Sequence, residues 1–169
     1  MRRSVQVSVL IQEEPPRQPE VEKLLQQSDR YAAALYPAES NHMVDLATLE
    51  GETVSFFVAR LEGRAVGCCA LLVAGDGTGE IKRLFVEARA RGKQAGRALL
   101  TRVEARAVER GLAVLRLETG IRQPEAIGLY RAFGYREIPP FGPYGPDPLS
   151  LFMEKRLPDP ISERDRSSR

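Results

Sequence analysis

The stretch Val86 to Leu100, VEARARGKQAGRALL, sets two glycines and a cluster of cations in a loop that runs straight into a helical pattern. The first turn of a helix carries backbone N–H groups without intrahelical partners and the positive end of the dipole, so it suits an anion such as a pyrophosphate. Glycine lets a ligand or another backbone come close. The loop Arg91-Gly92-Lys93-Gln94-Ala95-Gly96, with Arg97 behind it, therefore points to a phosphate-bearing cofactor. An ordinary loop before a surface helix would use the same residue types. Two common phosphate loops are excluded. No G-x-x-x-x-G-K-[ST] string occurs, and Gly92 and Gly96 are four apart, which breaks G-x-G-x-x-G. The alternating glycines of GDGTG, residues 75–79, lie between two apolar runs and read as a hairpin turn.

The elements around this loop follow from pattern. Ser4 to Gln12 alternates apolar and polar residues as a strand does, and Pro15-Pro16 ends it. Val21 to Leu35 has helical spacing, with Leu24, Leu25, Tyr31 and Leu35 along one side, and Tyr36-Pro37 closes it. Asp45 to Leu49 makes a short second helix. Thr53–Leu61, Ala65–Ala74 and Glu80–Val86 are three successive strands. A helix runs from the basic loop to Arg110, burying Leu99, Val103 and Ala107, with Gly111 at its C′ position. Ala113–Glu118 is a strand. Gln123-Pro124-Glu125 opens another helix, with proline and an acid in the first turn, and Gly134 ends it. Leu149–Leu157 is the last strand, approached through the proline- and glycine-rich residues 139–148. This order predicts an α/β protein with a mixed sheet and helices on both faces. One domain covers residues 1–157, and the charged tail 158–169 reads as disordered.

Composition bounds the partners. With 169 residues, 43% hydrophobic and 28% charged, the chain suits one globular domain. A net charge of +2 is too mild to demand nucleic acid, and Glu104 and Glu109 interrupt the basic helix. No apolar run approaches the roughly 18 residues of a membrane span, and no apolar signal region follows Met1-Arg2-Arg3. Cys68 and Cys69 are adjacent in a strand and so face opposite sides. The simplest expectation is a reduced, cytoplasmic protein with no membrane or nucleic-acid partner and no metal site.

Taken with the element order, two motifs resemble those of the Gcn5-related N-acetyltransferase (GNAT) superfamily, over about Val5 to Leu157. Arg91 and Gly96 fill the first and last positions of its acetyl-CoA loop, Q/R-x-x-G-x-G/A, while Gln94 stands where the central glycine belongs. If that position needs positive φ, glutamine costs about 1 kcal/mol relative to glycine. Downstream, Gln123-x-x-Ala126-x-x-Leu129-Tyr130-x-x-x-Gly134-Tyr135 is close to the superfamily's N-x-x-A-x-x-L-Y-x-x-x-G-F/Y, with glutamine for asparagine. The run from Leu117 to Tyr144 looks like a bacterial branch of small-molecule acetyltransferases.

The resemblance implies an acyl-CoA N-acyltransferase fold of about seven strands, acetyl-CoA as cofactor, and direct transfer to an amine. Leu84, Phe85 and Val86 would offer backbone groups to the pantetheine arm. The N–H groups of about Lys93 to Arg97 would face the pyrophosphate, and Gln123 and Tyr130 would complete the cofactor site. Tyr130 would stand beside the sulfur as acid, although Ala126, Tyr130 and Phe133 also share a helical face that core packing alone would explain. Glu80 would serve as base, because a lysine-like amine with pKa near 10 is almost fully protonated at neutral pH. Tyr36, Ser40, Asn41 and His42, between the first two helices, would cover the acceptor, with Glu80, Arg83 and Tyr144 as further contacts. Lys82 or Arg83 would pair with Glu80 or bind an acidic group on the acceptor. The resemblance leaves open a small-molecule amine, a protein lysine or N-terminus, and a non-catalytic acyl-CoA sensor. It also raises a homodimer.

Overall fold

The computed structural model describes residues 8–92 and 94–159. The first strand's expected start at Ser4, the loop residue Lys93, and the tail from residue 160 onward lie outside the described residues.

Strand β1 (Val9–Glu13) is followed by helix α1 (Pro19–Leu35) and a short helix α2 (Leu46–Leu49). Strands β2 (Val54–Leu61), β3 (Arg64–Val73) and β4 (Thr78–Val86) form a meander. Helix α3 (Ala95–Glu109), strand β5 (Val114–Gly120), helix α4 (Pro124–Ala132), strand β6 (Arg136–Ile138) and strand β7 (Ser150–Arg156) complete the chain. One seven-stranded sheet results, in the order β1-β2-β3-β4-β5-β7-β6. Only β4 and β5 are parallel, joined by the α3 crossover. Strand β6 was not expected from the sequence, because only three residues separate Tyr135 from a proline-rich run.

The hairpins obey their residues. Glu62 and Gly63, both at positive φ, form the two-residue link between β2 and β3. In GDGTG, Asp76 accepts from the Thr78 N–H at 3.1 Å and Gly77 takes positive φ, giving the expected turn. Asp45 caps α2 by accepting from the Thr48 N–H at 2.9 Å.

Two apolar clusters sandwich the sheet. Phe57, Cys69, Leu71 and Ile81 pack with Leu99, Leu100, Val103 and Ala107 of α3 and Tyr130 of α4. Phe56, Val58, Cys68 and Ala70 pack on the other face with Val21 and Leu25 of α1 and Leu49 of α2. Strand alternation thus sends the two cysteines to opposite cores, as expected, and both remain free thiols. The α1 stripe differs from the expected one. Val21, Leu24, Leu25, Ser28 and Ala32 are buried, whereas Tyr31 and Leu35 are half-buried. Among the described residues, no helix is long and apolar enough to cross a membrane.

One irregularity shapes the molecule. Register along β3 and β4 runs Ala70↔Lys82 and then Cys68↔Phe85, so Arg83 and Leu84 together oppose Cys69. Arg83 sits at φ +59, which makes this a bulge with a left-handed residue. Beyond it β4 stays paired with β3, as in Gly67↔Val86, but its ladder with β5 has already ended at Ile81↔Leu117. The bulged strand passes close to Gly67, where a Cβ would lie 2.9 Å from the Phe85 carbonyl oxygen and 3.3 Å from Leu99 Cδ1. Gly67→Ala is expected to destabilise the fold by about 1–3 kcal/mol, because backbone cannot yield as a side-chain tip does. Urea unfolding checks this, and an unchanged midpoint would remove the close approach from the account.

Candidate active site

Where β4 and β5 part, the cleft between them is open. Its larger cavity, about 450 Å³, is walled by Leu84, Phe85 and Val86 of β4. The basic loop and the start of α3 contribute Arg91, Gly92, Gln94, Ala95, Gly96 and Arg97, and α4 contributes Gln123, Glu125, Ala126 and Leu129. Nearly the whole expected cofactor set thus lines one space. Among the described residues of that set Tyr130 is the exception, since it lines the neighbouring cavity instead. Tyr31 was not foreseen there. It lines both cavities, and the Arg91 guanidinium stands 5.6 Å above its ring.

The loop leaves the first N–H groups of α3 without partners among the described residues. Gly92 has φ +78 and Gln94 has φ +67, so the chain makes two left-handed steps on either side of Lys93 before α3 begins. Gln94 is the N-cap but makes no side-chain cap bond. The backbone N–H groups of Ala95, Gly96 and Arg97 accordingly find no acceptor among the described residues. Arg91 also reaches Glu125 at 3.8 Å, and Arg97 lies 5.3 Å over the Phe133 ring, so both guanidinium groups are anchored at the rim. Gly96 also has a packing role. A Cβ there would meet Leu129 Cδ2 at 3.3 Å, so small size at this position serves the packing of α3 on α4.

A second cavity, about 110 Å³, adjoins the first and shares Tyr31, Leu84, Phe85, Gln123 and Ala126 with it. The expected acceptor residues Tyr36, Ser40, Asn41, His42 and Arg83 line it, together with Lys82, Glu118 and Tyr130. The Tyr36 ring lies on Gly120, where any Cβ would collide with it. Its hydroxyl accepts from the Arg122 N–H at 3.0 Å and donates to Gln123 Oε1 at 3.3 Å, tying the end of α1 to the β5–α4 turn. The Tyr130 side chain is largely buried, but its hydroxyl oxygen, for which no hydrogen-bond partner is found among the described residues, is not sealed off. Burial pushes that phenol well above its usual pKa, with Cys69 and Glu118 adding to the effect.

Glu80 and Tyr144 line neither cavity. The Tyr144 hydroxyl donates to Glu80 Oε1 at 2.5 Å, and Lys82 Nζ lies 3.2 Å from the same oxygen. Lys82 also donates to the Tyr144 hydroxyl and, at 3.1 Å, to the His42 carbonyl. Burial, with the Glu80 hydrogen bond next, raises the Tyr144 pKa. Phe141 packs edge-on against Tyr144 at 5.2 Å, while His42 Nε2 lies 3.9 Å from Asp147. Of the two expected partners for Glu80, Lys82 is the one that takes it. Arg83 turns the other way, its Nη1 donating to Asp29 at 2.6 Å.

Glu118 is the titratable group that the sequence did not single out. It stands on the end of β5 that has parted from β4 but still pairs with β7, is half-buried, and accepts from Ser150 Oγ at 2.8 Å. Burial raises its pKa, opposed by the Ser150 hydrogen bond and the charges of Lys82 and His42.

This cleft, fold and motif set define a class. The sequence profile described as the Acetyltransferase (GNAT) family matches residues 18–135, and the chain belongs to that family of N-acetyltransferases. It is 52% identical over 151 residues to an IAA acetyltransferase of Azospirillum brasilense, covering 89% of this chain and 99% of that one. A Klebsiella pneumoniae crystal structure, described as an acyl-CoA N-acyltransferase, superposes with TM-score 0.79 at 40% identity, covering 88% of this chain and 97% of that one. The fold is shared with the PaiA N-acetyltransferase of Thermoplasma acidophilum in complex with coenzyme A, with TM-score 0.66 at 17% identity, covering 89% of this chain and 99% of that one.

Two outcomes follow from this geometry. Gln94→Gly is expected to stabilise the protein by roughly 0.5–1 kcal/mol. Relief of left-handed strain, about 1–2 kcal/mol, exceeds the added freedom of the unfolded chain, about 0.4–1 kcal/mol. Chemical denaturation measures it, and a destabilised variant would count against a strained Gln94. For Glu118, the folded chain holds a proton more tightly than the unfolded one. Its stabilising contribution is therefore present in acid and lost as pH rises through the raised pKa. Glu118→Gln should melt higher than the parent at pH 7, with the gap closing below about pH 4, where the free carboxyl is protonated as well.

Proposed function

We propose that this GNAT enzyme transfers the acetyl group of acetyl-CoA directly to the amine of a small molecule. The observation that carries the reading is the parting of β4 from β5, beside which lie two adjoining cavities, the larger walled by the α3 N-terminus and the smaller by Tyr130. In this reading the pyrophosphate lies against the N–H groups of Ala95 to Arg97. Arg91, Gly92, Lys93 and Gln94 flank it, and the pantetheine arm runs beside Leu84, Phe85 and Val86. Gln123 closes the cofactor site on the α4 side. The acceptor enters the smaller cavity beneath Tyr36, Ser40, Asn41 and His42.

The nitrogen lone pair attacks the thioester carbonyl, and the carbon–sulfur bond breaks as the amide forms. The attacking nitrogen must first lose a proton. We assign this proton to Glu118, whose carboxylate faces the acceptor cavity. Glu80, expected as the base, lines neither cavity and has its Oε1 engaged by Tyr144 and Lys82. Its part here is to hold Tyr144 and Lys82 at the rim. Tyr130 then donates a hydrogen bond to the departing thiolate. No acyl-enzyme is needed. Both cysteines are fully buried, and burial lifts the Cys68 thiol to about 12, leaving little thiolate to act as a nucleophile.

Coenzyme A should raise the melting temperature, and a panel of primary amines with acetyl-CoA should release free thiol. Stabilisation without turnover on any amine or peptide N-terminus would favour a sensor, and absence of both would overturn the reading. Tyr130→Phe is expected to lower turnover by roughly tenfold or more while leaving coenzyme A affinity nearly unchanged. Because no group among the described residues bonds this hydroxyl, its loss should cost the fold little, and full turnover in the variant would remove Tyr130 from the chemistry.

A further inference from the structure

Arg83 is the most constrained side chain in the acceptor cavity. It occupies a left-handed backbone position in the middle of a strand, and its side chain is only 4% exposed. Of its five N–H donors, the contacts found involve Nη1 alone, which donates to Asp29 at 2.6 Å and touches Met43 Sδ at 3.2 Å. Nε is buried with no hydrogen-bond partner, the only buried side-chain nitrogen or oxygen among the described residues in that state. A buried donor left unmade is costly, and one attached to a charged group more so. The other cation of this wall, Lys82, is fully engaged by Glu80, Tyr144 and the His42 carbonyl. The cavity therefore holds a carboxylate, Glu118, on the β5 side and a guanidinium with an unused edge on the β4 side.

Building on the transferase reading above, we propose that the acceptor is an amine carrying its own carboxylate, an amino acid in the broad sense. Its ammonium group lies toward Glu118 and its carboxylate takes the free Nε edge of Arg83. A guanidinium offers two parallel N–H groups along that edge, which match the two oxygens of a carboxylate. Asp29, 55% exposed on α1, holds the opposite part of the guanidinium and so fixes which edge faces the acceptor. Met43 Sδ sits on Nη1 at 3.2 Å, beside Asp29, and leaves the Nε edge without a protein partner. This arrangement gives Arg83 a reason to be buried at a strained position that an acceptor without a carboxylate would not require.

The test compares each amino acid with the amine left by its decarboxylation: leucine with isoamylamine, phenylalanine with phenethylamine, methionine with 3-(methylthio)propylamine. Thiol release from acetyl-CoA is the readout. In the wild-type protein kcat/KM should favour the carboxylate-bearing member of a pair by about tenfold to a hundredfold, chiefly through KM. Arg83→Lys keeps the charge and the left-handed backbone cost but loses the paired donors, and should shrink that ratio to within a few fold. Wild-type protein that uses the decarboxylated amines as well as the amino acids, or Arg83→Lys protein that keeps the preference, overturns the assignment while leaving the transferase reading intact. Wild-type protein that acetylates neither member of any pair, nor any other amine, overturns both.

Discussion

Everything about the site depends on one hydrogen-bonded ladder that stops early. Strands β4 and β5 pair from Thr78↔Val114 to Ile81↔Leu117 and then separate. Each can leave the other because each keeps a second neighbour. The end of β4 remains bonded to β3 through Cys68↔Phe85 and Gly67↔Val86, and the end of β5 to β7 through Glu118↔Phe152 to Gly120↔Ser150. A wedge opens inside a sheet whose other ladders continue, so the sheet does not unravel. Backbone groups at such an inner edge must find partners, and an extended ligand is one way to supply them. The bulge at Arg83 and Leu84 directs β4 into this path. The ion pair of buried Arg83 with exposed Asp29 then ties the bulge to α1 from the face opposite α3.

Electrostatics is arranged along the wedge in a consistent order. At its wide end stand the α3 N-terminus, Arg91 and Arg97, all suited to anions. At its narrow end, Glu118, Lys82, Glu80, Tyr144 and Tyr130 form a partly buried group in which charges are paired or phenols are kept neutral by burial. A cofactor with a charged head and an apolar arm fits that gradient in one direction only. Gln94 carries a local cost, since a non-glycine residue is held left-handed where α3 begins and caps the helix with no side-chain bond.

What the sequence revealed was local. The basic loop, the hairpin turn at Asp76 and the α3 stripe each depend on residues within a few positions, so pattern sufficed. Glu118 was hidden because LRLET, residues 115–119, alternates like an ordinary strand with a wet face. Its burial comes from β7 and from the chain after α1, whose residues lie far away in sequence. Tyr36 against Gly120 and Tyr31 beneath Arg91 are likewise long-range contacts. The bulge did leave a trace. Lys82 and Arg83 are consecutive cations inside the apolar strand EIKRLFV, and two charges facing opposite sides of a buried strand signal that its regular alternation is broken there.

The position of Tyr130 in the wall of the smaller cavity constrains how protons move under the proposed reading. A free phenol, with pKa near 10, is already a weaker acid than a thiol near 8.5, and burial weakens Tyr130 further. Full transfer of its proton to the thiolate is therefore uphill, and increasingly so as the site closes over it. What burial does favour is a hydroxyl that stays protonated over the working pH range and whose hydrogen bond is directed at charge as it forms. The thiolate's eventual proton must then come from elsewhere, and the reaction itself releases one for each amine acylated. With Glu118 and Tyr130 lining the same cavity, acceptor deprotonation and thiolate stabilisation occur at neighbouring groups, and the site needs no net supply of protons from outside.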